Sequence, residues 1–242
     1  MPKEKIIEID GIGPIHFRHK KRIKNLNISI RPFEPVVVSV PDAVSFQAAA
    51  RLILSKTEWI RENLDRRESV EHQRLVYTSD DSIRTRWHTG RLLPVPEALS
   101  RIEIRRGIIR IFYPEQLPLT DDFTQSLIRL AVIEAYRIEA KTYLPERMRM
   151  LAERHSFRYK SLFIKNLKTR WGSCSMQNNI NLNLNLMRLG DDLIDYVILH
   201  ELLHTRFRNH SRDFWMELQK ICPQALLYRR QLKNHSLYDF SS

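Results

Sequence analysis

Only two cysteines, Cys174 and Cys222, occur in 242 residues. That is too few for a disulfide framework and points to a reducing compartment such as the cytoplasm. Nowhere do about 18 apolar residues run together, so a membrane-spanning helix is not expected. The opening Met1-Pro2-Lys3-Glu4-Lys5 lacks the apolar stretch of a secretion signal. Internal repeats and low-complexity tracts are missing as well. Charge is unbalanced in sign but even in position. The net charge is +12, and residues 1–117 and 118–242 carry +6 each, so no basic domain or tail stands apart. The densest run, Arg18-His19-Lys20-Lys21-Arg22-Ile23-Lys24, has no stacking aromatics among it. Followed by the strand-like Leu26–Ile30, it reads as a solvated edge strand. A nucleic-acid partner therefore rests on charge alone.

What is present reads as an α+β chain in two regions. Residues 1–117 form a β-rich N-terminal region with one amphipathic helix near 45–67. Its stripe is Phe46, Ala50, Ile53, Thr57, Ile60 and Leu64, and Ser45 is its cap. Residues 5–41 read as a meander of short strands, and Arg101–Ile104 with Ile108–Phe112 as a hairpin around Gly107. The stretch from Pro114 to Leu119, with two prolines, is the expected linker. In residues 118–242, a long helix covers about 120–155, and Pro145 should kink or divide it. Ile180–Leu186 alternates apolar and polar side chains, the pattern of a half-buried strand. The turn-like Gln177-Asn178-Asn179 before it suggests a hairpin with Thr169–Ser175.

The chemistry concentrates at His200-Glu201-Leu202-Leu203-His204, an H-E-x-x-H sequence led by the apolar run Tyr196–Leu199. On a helix, side chains four residues apart lie nearly one above the other, so His200 and His204 can share one Zn²⁺. Glu201 sits on an adjacent face, able to hold a metal-activated water as general base without being a ligand. His210 would point about 80° away if the helix continued, so it reaches the metal only if the helix stops. Asn209 tolerates a left-handed helix end and Ser211 is a good cap for a new helix, with Asp213 in its first turn. Such a corner supplies a third histidine, and three protein ligands with one open position mark a catalytic zinc site. Cys174 lies near enough to be weighed as a ligand, but a small buried strand residue is the better reading.

Thr169-Arg170-Trp171-Gly172-Ser173-Cys174-Ser175, the Asn-Leu-Asn strand, Asp195-Tyr196-Val197, the H-E-x-x-H sequence and the Asn209–Trp215 segment together resemble the YgjP-like zinc metallopeptidases, relatives of the SprT and Spartan zincins. Lys20–Asn25, Val37–Pro41 and Lys56–Ile60 resemble the N-terminal region of that family. The resemblance implies a zincin-like domain: a small sheet, the H-E-x-x-H helix and a C-terminal helix. It implies His200, His204 and His210 as zinc ligands and Glu201 as the catalytic base. Glu217 is a rival third ligand, but His210 matches the family's Asn-His-Ser pattern. The expected reaction is hydrolysis of a protein or peptide substrate. Tyr228 or Arg229 can stabilise the oxyanion, and Asp195 either orients a histidine or caps a helix. Ile180–Leu186 can pair with substrate if it lies at a sheet edge. Arg206, Arg208 and Arg212 suit acidic substrate segments. Two other readings stay open: a nucleic-acid-associated metalloprotein acting on DNA-bound proteins, and a zinc-stabilised binding module without catalysis.

Overall fold

The computed structural model describes residues 3–72, 75–235 and 237. Small sheets and helices make an α+β chain that divides into two units, meeting at Leu75 and Val76. The division expected at 117–118 falls earlier for a packing reason. Ile109 and Ile111 are fully buried in the same core as Ile128, Val132 and Tyr136 of the following long helix. The prolines between them serve turns: Leu117 N–H donates to the Pro114 carbonyl and Asp121 N–H to that of Pro118.

In the first unit, β1 (Glu4–Ile9) and β2 (Gly13–Lys20) form a hairpin, joined by β3 (Asn27–Ser29) and β4 (Val36–Pro41). The order is β1-β2-β4-β3, with β2 and β4 parallel, so this is no simple meander. The reason lies in β4, whose Val36, Val38 and Val40 are buried, favouring a central place. The strand after the basic run is an edge, as expected. The single helix expected over 45–67 is two, α1 (Phe46–Leu54) and α2 (Thr57–His72). At the break, Ser55 Oγ donates to the Leu52 carbonyl at 2.7 Å and Thr57 Oγ1 to that of Leu54 at 2.8 Å. Such local bonds compete with the helical ladder. Ser45 does cap α1, accepting from Ala48 N–H at 3.2 Å. Phe46, Ile53 and Ile60 are buried against Ile15, Phe17 and Val38.

The second unit begins with β5 (Thr89–Val95), β6 (Arg101–Arg105) and β7 (Ile108–Pro114), in the order β5-β7-β6. The β6–β7 hairpin turns on Arg106 and Gly107, both with positive φ, as a two-residue turn matched to strand twist requires. Then comes α3 (Asp122–Arg154), capped by Asp121 and not divided by Pro145. Pro145 lies on the exposed face, where the ring and the carbonyl it deprives of a donor meet solvent.

The sheet that matters for the site holds β8 (Ser161–Lys165), β9 (Gly172–Cys174) and β10 (Asn179–Asn183), in the order β8-β10-β9. The expected strand over 180–186 therefore ends at Asn183. Its side chain accepts from Asn185 N–H at 3.1 Å and turns Leu184–Arg188 into a 3₁₀ helix. The alternation continued past this point because Leu184 and Leu186 are core, not because the strand does. Three helices complete the chain: α4 (Asp191–Leu203), α5 (Arg212–Ile221) and α6 (Ala225–Leu232). No helix among the described residues is long and apolar enough to cross a membrane.

Candidate active site

Helix α4 is apolar on most sides, with Ile194, Val197, Ile198, Leu199, Leu202 and Leu203 buried. Only one narrow face is left for His200 and Glu201, which turn toward β9 and α5. The helix stops at Leu203, so His204 is its C-cap rather than its interior. The stop comes earlier than a left-handed Asn209 would give, and Asn209 has no positive φ. Thr205 and Arg206 N–H close the end onto the Leu202 and Leu203 carbonyls. Ser211 then caps α5, its hydroxyl accepting from Phe214 N–H at 3.4 Å, with Asp213 in the first turn.

This corner brings three imidazoles together. His200 Nε2 lies 3.2 Å from His204 Nε2 and 3.0 Å from His210 Nε2, and the three groups offer ligand atoms within 4.8 Å of one another. Zinc–nitrogen bonds of about 2.05 Å in a tetrahedron put ligand nitrogens roughly 3.3 Å apart, so the spacing suits one such ion. The tautomers agree with this. His204 Nδ1 donates to the Phe207 carbonyl at 2.9 Å, which leaves the Nε2 lone pair facing the other two rings. Burial, followed by His204, His210 and Arg229, pushes His200 down to about 3, and burial also lowers His210; both are neutral donors at pH 7. The chain thus holds a three-histidine cluster able to coordinate a metal ion. Among the described residues neither Cys174 nor Glu217 joins it. Glu217 instead pairs with Lys220 at 2.5 Å.

Phe214 underlies the cluster. Its fully buried ring sits 5.0 Å from His200, 4.8 Å from His204 and 4.9 Å from His210. Trp215 stacks on His210 at 5.9 Å, and the Arg229 guanidinium lies over Trp215 at 4.6 Å. Tyr228 does not join them: it lines a separate cavity of about 310 Å³, as does Asp192. Asp195 neither caps α4, whose N-cap is Gly190, nor meets His200, whose Nδ1 has no partner. It forms a forked pair with Arg147, both bonds 2.5 Å.

Glu201 is 6% exposed, and its Oε2 has no hydrogen-bond partner. Burial raises its pKa to about 8, opposed by the nearby Arg170 charge. Gly172 of β9 makes room for it. A Cβ there would lie 2.7 Å from Glu201 Cγ and Oε1, closer than side chains tolerate. Two cavities meet at Glu201: a cleft of about 670 Å³ lined by β9 and the three histidines, and one of about 260 Å³ lined by Trp171, Tyr196 and Leu232.

A family model described as the YgjP-like metallopeptidase domain matches residues 24–235, nearly the whole chain. The chain belongs to the YgjP-like family. Two solved structures also align with part of it. The metallopeptidase zymogen abylysin of Pyrococcus abyssi is 21% identical, over 37% of this chain and 91% of its own, with a TM-score of 0.35. The zymogen jannalysin of Methanocaldococcus jannaschii is 24% identical, over 36% and 93%, with a TM-score of 0.31. No curated protein matches. Family membership and the three-histidine cluster together support a hydrolase of the zinc metallopeptidase type.

Gly172 and Phe214 were visible in the sequence only as letters of motifs. A glycine needed for close approach to another element carries no local signal, and an aromatic floor looks like any core position.

Proposed function

We propose that this YgjP-like protein is a zinc-dependent peptidase whose zincin-like catalytic unit is residues 76–240. His200, His204 and His210 hold the metal, and Glu201 is the general base. The observation that carries this reading is the pairing of three convergent imidazoles with a buried carboxylate beside the first of them on the same helix. A bound Zn²⁺ supplies Lewis acidity, lowering the pKa of water and polarising a carbonyl. The chain's own residues do the rest. Glu201 takes a proton from the attacking water and returns it to the leaving nitrogen. Phe214 supports the three rings from below.

Substrate main chain adds along β9, the edge of its sheet and a wall of the cleft. This replaces Ile180–Leu186 as the pairing strand, because β10 lies between β8 and β9 and its edges are already bonded. The reading is tested by metal exchange. Dialysis against a chelator abolishes peptide cleavage and added zinc restores it. Cleavage that survives complete zinc removal overturns the proposal.

A further inference from the structure

The arginines around the cleft differ in what their guanidinium groups are doing. Arg208 is fully used: it donates to the Ser175 carbonyl at 2.9 Å, the Met176 carbonyl at 3.3 Å and Asn178 Oδ1 at 2.6 Å, pinning the β9–β10 turn. Arg206 donates to the Ser156 carbonyl at 2.5 Å and lies 4.2 Å over the Phe157 ring. Two of the three arginines expected to attract acidic segments are therefore spent on structure.

Arg170 is the opposite case. Its backbone is fixed, because Asn183 Nδ2 donates to its carbonyl at 2.9 Å. Asn183 is fully buried and also binds both the amide and the carbonyl of Leu167, so the loop leading to β9 is held at several points. The Arg170 side chain is exposed and makes no hydrogen bond or ion pair with any described residue. It borders both cavities that meet at Glu201. Among the described residues Glu201 is the sole acidic one lining either cavity, so the space carries an excess of positive groups. A guanidinium is a planar fork of donors that matches a carboxylate in two parallel bonds. Its charge acts on Glu201, but none of its side-chain donors is committed to a hydrogen bond with a described residue, so a fixed backbone presents an open fork at the mouth of the site.

We infer that Arg170 is a specificity-determining residue that binds a carboxylate of the substrate close to the scissile bond. The inference rests on the peptidase reading above and names its substrate class: peptides carrying an acidic side chain or a free C-terminus at that place. Lysine cannot substitute fully, since it offers a point charge without the fork.

The test is binding, with catalysis removed. Zinc-loaded Glu201→Gln protein is titrated by fluorescence anisotropy with labelled alanine–serine octapeptides. These carry a central Glu or Gln, each with a free or amidated C-terminus. Carboxylate-bearing peptides bind about tenfold more tightly than their amide twins, as a charge-assisted pair allows. The Glu/Gln comparison reports a side-chain carboxylate, and the free/amidated comparison a terminal one. Adding Arg170→Gln removes the preference, and Arg170→Lys retains part of it, at unchanged zinc content. Equal binding within both peptide pairs, or a preference that survives Arg170→Gln, overturns the inference. Cleavage of a proteome-derived peptide mixture by the wild-type protein is read separately. No cleavage there removes the peptidase reading, while cleavage without any binding preference removes the role of Arg170 alone.

Discussion

The two units of this chain bury different things. Among the described residues, the interior of 1–75 is apolar throughout, built from residues such as Phe17, Val38 and Ile53. The unit that follows also buries His88, Thr124, Gln125, Arg129, Glu139, Asn183, Asn185 and Glu201. Removing a polar group from water is costly unless a partner replaces it, so each of these needs a reason. Most have one that is visible. Gln125 clasps the amide and carbonyl of Tyr77 and the carbonyl of Leu119. Glu139 Oε1 accepts from Thr85, from Trp87 N–H and from His88 Nδ1. These groups fasten loops to helices. Glu139 Oε2 lacks a partner too, but its carboxylate is held through Oε1; Glu201 fastens nothing with Oε2, and beside it His200 leaves Nδ1 without a partner. The comparison teaches that buried polarity alone does not mark a site. Buried polarity whose partner is missing, next to convergent donors, does.

That distinction is open to attack by mutation. The largest effect belongs to Glu201→Gln: if the carboxylate is a base and not a fastener, turnover falls about 10²–10⁴-fold with zinc retained. Metal analysis and peptide cleavage on the same sample check this, and unchanged cleavage by a zinc-bound variant removes Glu201 from the chemistry. His210→Ala should weaken zinc binding by more than about 100-fold, beyond what loss of a supporting partner costs. Competition with a chromogenic chelator measures it, and undiminished affinity excludes His210 as a ligand. Gly172→Ala displaces the Glu201 side chain, so kcat falls about 100-fold while zinc content stays the same. Full activity in that variant means the close approach is incidental.

Stability separates the fasteners from the plain core. Asn183→Leu strands the Leu167 and Arg170 carbonyls and the Asn185 amide, at about 1–3 kcal/mol for each group left unsatisfied. Denaturant unfolding should register a loss near the upper end of what single substitutions produce, and a loss below 1 kcal/mol refutes the clamp, ~1 being the usual hydrogen-bond value. Ile53→Val in the apolar unit should cost only about 0.5–1.5 kcal/mol and leave zinc affinity untouched. A change in metal binding there contradicts the division of labour between the units.

Features written in local chemistry were legible from the sequence. The four-residue spacing of His200 and His204, the Ser211 and Ser45 caps and the Arg106–Gly107 turn depend on neighbours within one helical turn or one hairpin. The convergence of His210 followed from the corner, although the helix stops at Leu203 and not at Asn209. What sequence could not convey was partnership across long separations. Asn183 bonds residues 13 and 16 positions away, and Asp195 pairs with Arg147, 48 positions earlier. Likewise, the hairpin at 101–114 belongs to the second unit because of the helix it covers, a fact of packing and not of periodicity.

His204 has a double duty. It closes its own helix, and its ring ties Nδ1 to Phe207 while Nε2 faces His200. Withdrawing a shared ion would leave three lone pairs crowded together, and the exposed His210 is the ring freest to turn aside. The cost of that movement falls on the backbone between the two helices. Amide hydrogen exchange in residues 205–211 therefore becomes a gauge of metal occupancy: slow when the site is filled, fast when it is stripped, with helix α1 of the first unit unchanged.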